Sequence, residues 1–115
     1  MKAAWIAHWT GIVPGREREV IELTRELDEH HNKLLEEGKI DDWARFIGSG
    51  ERDYFILRGD EAALRELMTT PEAVSLLIKS DLVLTDFQSD TYMTGEGAQA
   101  VLDVYEQTAK EMHLV

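Results

Sequence analysis

At 115 residues the chain has the length of one domain and can bury a core without covalent staples. Hydrophobic residues make up 43% of it, which argues against wholesale disorder, and the lack of cysteine excludes disulfides, thiolate metal sites and a cysteine nucleophile. There are 12 Lys and Arg against 23 Asp and Glu, a net charge of −11. Cations this sparse and scattered cannot release counterions from nucleic acid or hold an anionic membrane, so neither is an expected partner. The N-terminus lacks the long apolar run of a secretory signal and no stretch reaches the roughly 20 apolar residues of a membrane span, so a cytoplasmic location is expected.

Residues 3–10 form the first predicted strand, and it is apolar on both sides. Alternation across the pleat points Trp5, Ala7 and Trp9 one way and Ala4, Ile6 and His8 the other. Pro14-Gly15 opens a long first helix over about 15–37, with Glu17 and Glu19 at its positive end and Gly38 as its C-terminal glycine. Val20, Leu23, Leu27, His31, Leu34 and Leu35 recur at helical spacing as one stripe. A second strand over about 42–48 places Trp43 and Arg45 on one face and Ala44 and Phe46 on the other. A glycine-containing turn at 48–53 then joins it to a third strand, Tyr54–Arg58, as an antiparallel hairpin.

Asp60 reads as the N-cap of a second helix with Ala63, Leu64, Leu67 and Met68 inward. Thr70-Pro71 interrupts it and caps a fresh turn, after which Ala73, Val74, Leu77 and Ile78 resume the apolar pattern. Leu82 to about Met93 reads as the fourth strand, with Leu82, Val83, Leu84 and Phe87 buried and a polar second half reaching a rim. Gly95-Glu96-Gly97 breaks the chain before a C-terminal helix over 97–112 whose stripe is Ala98, Val101, Leu102, Tyr105, Ala109 and Met112.

This order predicts an α+β fold: a ferredoxin-like βαββαβ unit with an appended C-terminal helix. One domain over residues 1–115 is expected, with its core in 3–94. Right-handed crossovers put both crossover helices on one face of the sheet and leave the other face, apolar in the first strand, uncovered. Its expected cover is a second copy, two sheets packing face to face in a homodimer or a higher homo-oligomer, with Phe46, Phe55 and Phe87 adding to the buried surface.

In this element order, over residues 3–94, the chain resembles the dimeric α+β barrel superfamily, which includes small monooxygenases and muconolactone isomerase-like proteins. His31-Asn32-Lys33-Leu34-Leu35-Glu36-Glu37-Gly38 followed by Ile40, and Tyr54-Phe55-Ile56-Leu57-Arg58-Gly59-Asp60, are similar to YCII-related members of it. Those proteins pair the helix histidine with an aspartate before a proline in the second helix. Thr70 stands there in this chain, and a threonine does not ionise. The resemblance implies a small-molecule-binding barrel, and cofactor-independent oxygenation or isomerisation of an apolar or aromatic substrate. The alternative is a non-catalytic assembly protein whose sheet faces and last helix only build an oligomer.

The candidate catalytic residues are His31, alone in an aliphatic stripe, and His8 on the first strand; an imidazole suits proton transfer at neutral pH, while a partly buried histidine with a backbone or carboxylate partner is the commoner meaning of a position such as that of His31. Trp5, Trp43 and Arg45 are the candidate substrate contacts, the indoles lining a pocket and the guanidinium holding an anionic group; the same pattern of His8, Arg45 and Arg58 also fits a dimer interface with a few satisfied ion pairs, for which Asp86 or Glu51 could be the partners. No metal is expected, because His30 and His31 diverge by about 100° on a helix and His31 has leucines at i±4. No cofactor is expected either: Gly48-x-Gly50 precedes a strand and lacks the third glycine of a phosphate loop.

Overall fold

The structure, a computed structural model, describes residues 1–115. In chain order its elements are β1 (Lys2–Trp9), β2 (Gly11–Ile12), α1 (Glu17–Glu36), β3 (Asp42–Phe46), β4 (Asp53–Asp60), α2 (Glu61–Leu67), α3 (Pro71–Val83), β5 (Leu84–Thr85), β6 (Gln88–Met93) and α4 (Gly95–Glu111). The main sheet runs β3-β4-β1-β6 with every neighbouring pair antiparallel, the ferredoxin-like arrangement with an added helix. β1 lies inside it, paired from Lys2↔Asp60 to Trp9↔Asp53 with β4 and from Ala3↔Met93 to His8↔Gln88 with β6.

That register fixes the two faces. Ala3, Trp5, Ala7 and Trp9 share a side with Phe55, Leu57 and Gly59, and the crossover helices cover them. Leu23, His31 and Leu34 of α1 and Leu64 and Leu67 of α2 are the buried side chains of those helices. Ala4, Ile6 and His8 share the other side with Tyr54, Ile56 and Arg58, with Ala44 and Phe46 of β3 and with Tyr92 of β6. No helix covers this open face, and Phe46 and Tyr92 are exposed on it.

Local signals set the helix starts. Asp60 accepts from the backbone N–H of Ala63 at 3.4 Å and holds the Met1 ammonium at 3.1 Å. Thr70 accepts from the N–H of Ala73 at 3.2 Å, with Pro71 in the first turn of α3, so the interruption yields two separate helices. Pro14 and Gly15 instead lie in a turn before α1, which starts at Glu17; Gly38 ends that region with φ +71°, which glycine adopts without strain.

Four expectations are corrected. Phe55 and Phe87 face the helices, not the open face: Phe55 is buried there and Phe87 packs against the same core. The fourth long strand begins at Gln88, because α3 continues to Val83 and Leu84–Thr85 pairs with Gly11–Ile12 as a separate ribbon. A short apolar run such as Leu82-Val83-Leu84 fits helix and strand alike, and here the helix prevails up to Val83. In α3 the inward residues are Ala73, Leu76 and Ser80, with Leu77 against the core, while Val74 and Ile78 face solvent. That helix is apolar around most of its circumference, so spacing alone misassigns its face. Finally, Gly95-Glu96-Gly97 does not precede α4 but forms its first turn.

α4 departs from the body. Its first turn lies against β1 and β6, with Gly97 against Met93 and Met1, and residues 101–108 are all exposed. The Cα radius of gyration is 16.7 Å, against about 13 Å for a compact chain near this length. None of α4 is long and apolar enough to cross a membrane, nor is any other helix.

Leu64 is the most deeply enclosed of the large side chains, on α2 against the sheet. Leu64→Ala should cost about 2–5 kcal/mol of unfolding free energy, read as a lower urea midpoint at unchanged slope. A loss under about 1 kcal/mol would contradict this packing of α2.

A buried, unpartnered histidine in an aromatic cavity

Between the crossover helices and the covered sheet face lies a cavity of about 30 Å3. Trp5, Ala7 and Trp9 of β1 and Phe55 and Leu57 of β4 form its floor; Leu27 and His31 of α1, Leu76 and Leu77 of α3, Met68 and Phe87 close it. Ser80 also lines it, but its hydroxyl donates to the Leu76 carbonyl at 2.8 Å and is satisfied. His31 is therefore the deep polar group of an otherwise apolar wall.

Its environment is aromatic. The imidazole centroid lies 5.3 Å from the Trp43 ring and 5.4 Å from Phe55, the latter edge-on. The residue is 3% exposed, and Nδ1 is buried with no hydrogen-bond partner. Thr70 does not supply one: its hydroxyl donates to the Leu67 carbonyl at 3.0 Å and caps α3. Burial, with a smaller contribution from the neighbouring His30, pushes the His31 pKa down to about 4, so the ring is neutral at physiological pH. A buried polar nitrogen without a partner costs roughly 1–3 kcal/mol, which sequence pattern alone gives no reason to accept.

His30 stands at the mouth. It lines both the cavity and the outer groove between α1 and α3, which carries Glu26, Lys33, Glu72 and Lys79. Its Nδ1 is 3.7 Å from a Glu72 carboxylate oxygen; burial lowers its pKa and the carboxylate opposes that shift.

The structure brings together only part of the set expected from sequence. His31 and Trp5 share the cavity. Trp43 sits behind the imidazole, with its indole N–H donated to Asn32 Oδ1 at 3.0 Å. Arg45 lies outside, paired with Asp28 at 2.8 Å, while Asp86 is engaged by Arg52 next to His8. His8 is across the sheet, on the open face. Arg52 approaches its Nδ1 at 2.9 Å, and because a guanidinium only donates, Nδ1 accepts and the ring proton sits on Nε2. Arg52 also pairs with Asp86, and Tyr54 lies 5.7 Å from the His8 ring. His8 and His31 thus cannot act on one molecule from the same side.

Trp9, Met68, Leu76, Leu77 and Phe87 are cavity residues that sequence reasoning did not single out. For Trp9 the signal was present, since it shares a pleat face with Trp5; Met68, Leu77 and Phe87 read as inward without a sign that they meet at one cavity, and the uncertain face of α3 concealed Leu76. No three histidine or carboxylate side chains converge as a metal site needs.

No known protein-family pattern and no curated protein matches the chain. Solved structures of the same fold are numerous. A dimeric ferredoxin-like protein of unknown function from Jannaschia sp. CCS1 is 10% identical, with a TM-score of 0.66 over 82% of this chain and 100% of that one. The hydroxynitrile lyase of Passiflora edulis is 8% identical, with a TM-score of 0.67 over 83% and 94%. A candidate antibiotic biosynthesis monooxygenase from Deinococcus radiodurans is 12% identical, with a TM-score of 0.60 over 84% and 94%. At these identities the likeness concerns the ferredoxin-like fold, and proteins sharing that fold differ in chemistry.

The His31 pKa sets a pH dependence with a defined sign. The unfolded imidazole binds a proton below about 6.5, whereas the folded one does so only below about 4. Stability from this group is full above about 6.5 and falls as pH drops towards 4, by on the order of 3 kcal/mol in total. His31→Leu removes that proton uptake and the unpartnered nitrogen. The variant should match or exceed the parent at pH 7.5 and exceed it by a further ~2 kcal/mol at pH 5, read by urea denaturation at both pH values. An equal difference at the two pH values would contradict the buried neutral ring.

Proposed function

We propose that this protein binds a small, uncharged aromatic molecule in the His31 cavity, as a homodimer closed over the open sheet faces. The observation that carries the reading is the buried, unpartnered Nδ1 of His31 within a wall of Trp5, Trp9, Phe55 and Phe87. A neutral imidazole with proton on Nε2 accepts at Nδ1 from a ligand hydroxyl or N–H. Neutral charge of the ligand follows from the wall: His31 is unprotonated, and Arg45, the nearest sequence candidate for an anion, is tied to Asp28 outside it.

As it stands the cavity has room for no more than one or two water molecules, so a ligand enters by displacing side chains. Met68, unbranched and flexible, and Phe87, after the short β5 ribbon, are the movable parts of the wall. Cofactor-free oxygenation of an activated aromatic starts from a polarised or deprotonated hydroxyl, and isomerisation from a proton taken from one carbon and returned to another; in this reading His31 takes the hydrogen bond of the bound hydroxyl, and its lowered pKa opposes full transfer of the proton. The YCII-like arrangement would need a carboxylate behind the ring; with Thr70 engaged as a helix cap, His31 acts in this reading as an unassisted base. The dimer rests on the open face, where Ile6, Ile56 and Phe46 lie uncovered beside Ala4 and Ala44, and on like-folded proteins described as dimeric.

The small size of the cavity favours the second reading, a protein that only assembles. Tryptophan fluorescence separates the two, because Trp5 and Trp9 form the floor. Saturable quenching by 2-naphthol is expected, at least about tenfold tighter than by the 2-naphthoate anion. It should weaken by about tenfold in His31→Leu, the worth of a hydrogen bond of ~1.4 kcal/mol. Absence of saturable quenching, or equal affinity in His31→Leu, would overturn the binding reading and leave assembly.

Assembly has its own readout. Sedimentation at micromolar concentration should give a dimer, and Ile56→Lys, which puts a charge in the middle of the open face, a folded monomer. A wild-type monomer would contradict the sheet-to-sheet dimer.

A further inference from the structure

The apolar stripe of α4 has no partner within the chain. Val101, Leu102, Tyr105 and Met112 are between 57% and 74% exposed, and the body reaches only the first turn. A helix of 17 residues with nothing against it is marginal in water, so its persistence requires a partner.

The spacing of the stripe says what that partner is. Ala98, Leu102, Tyr105, Ala109 and Met112 follow one another by steps of four, three, four and three. These are the a and d positions of a heptad, with Val101 adding an apolar flank. Val101 and Thr108 flank the seam on one side, Gln99 and Glu106 on the other. A seam of this kind is complementary to another helix, and the sequence fits itself. If two copies run antiparallel about a point between Asp103 and Val104, Leu102 of each meets Tyr105 of the other. Ala98 of each meets Ala109, so large side chains fill the centre and small ones let the backbones close at both ends. The same register sets Glu106 beside Gln99 of the other copy, not beside another acid, which matters in a chain of net charge −11.

We infer that α4 is a pairing helix whose partner is α4 of a second copy of this chain, the two running antiparallel. A seam of two heptads is short, so the pairing requires an assembly held by another contact, and in that respect it rests on the sheet-face dimer proposed above. It adds an interface separate from the His31 cavity.

The chain contains no cysteine, which makes the test clean. In the full-length protein, Ala98→Cys/Ala109→Cys should form an intermolecular disulfide on mild oxidation. Each single variant should cross-link no more than Gln107→Cys, which lies on the polar side of the helix. Adding Leu102→Glu to the double variant should abolish the cross-link while the circular dichroism of the body is retained. Cross-linking of Ala98→Cys alone at the level of the double variant would indicate parallel pairing and overturn the proposal. So would a double variant that stays uncross-linked while sedimentation still shows a dimer. A sedimenting monomer would remove the sheet-face assembly and this pairing with it.

Discussion

The double-sided burial demand of β1 is the constraint on which the rest of this structure depends. Both neighbours of this strand are antiparallel partners, so its register with β4 and β6 decides the face of every large side chain in the sheet. A one-residue slip would exchange Trp5, Ala7 and Trp9 for Ala4, Ile6 and His8 beneath the helices. It would empty the aromatic floor of the cavity and bury His8 with its Arg52 partner. The cost of that exchange is what pins the sheet, and the pinned sheet is what places His31 opposite Trp5 and Phe55.

The two faces then follow different chemistry. The covered face is aromatic and aliphatic, closed by α1, α2 and α3, and the histidine nitrogen in its cavity is buried without a partner. The open face is a patchwork in which Ile6, Ile56 and Phe46 alternate with pairs such as Arg58–Asp42 and the Arg52–Asp86–His8 cluster. A wholly apolar open face would invite indiscriminate association. In the proposed dimer the charged pairs at its ends would give a second copy a register to match, although exposed pairs of this kind contribute little energy by themselves.

The backbone plan was legible in the sequence wherever local chemistry and burial agree. Asp60 and Thr70 announce helix starts because their side chains satisfy a backbone N–H that the helix leaves free, and Trp5/Ala7/Trp9 announce a face because a pleat has period two. Legibility failed where the period carries little information. In α3 the apolar residues are spread around most of the circumference, so Val74 and Ile78 read as core although only Leu76, Leu77 and their neighbours face inward. Leu82-Val83-Leu84 fits either element, and the choice is made by tertiary pairing of Leu84–Thr85 with Gly11–Ile12, which no local signal reveals. For the site, the sequence identified His31 as an oddity in its stripe. It could not reveal that Nδ1 lacks a partner, that Arg45 is committed to Asp28, or that His8 is across the sheet, because each depends on long-range packing.

The proposed binding depends on a His31 ring held neutral in its apolar cavity and available to a ligand hydroxyl. Nitrogen-15 NMR of the imidazole during a pH titration, with and without 2-naphthol, tests it most directly. A neutral ring is expected down to about pH 4, with the naphthol moving the Nδ1 resonance in the direction of an accepted hydrogen bond. A ring that titrates near 6.5 and ignores the naphthol would contradict it.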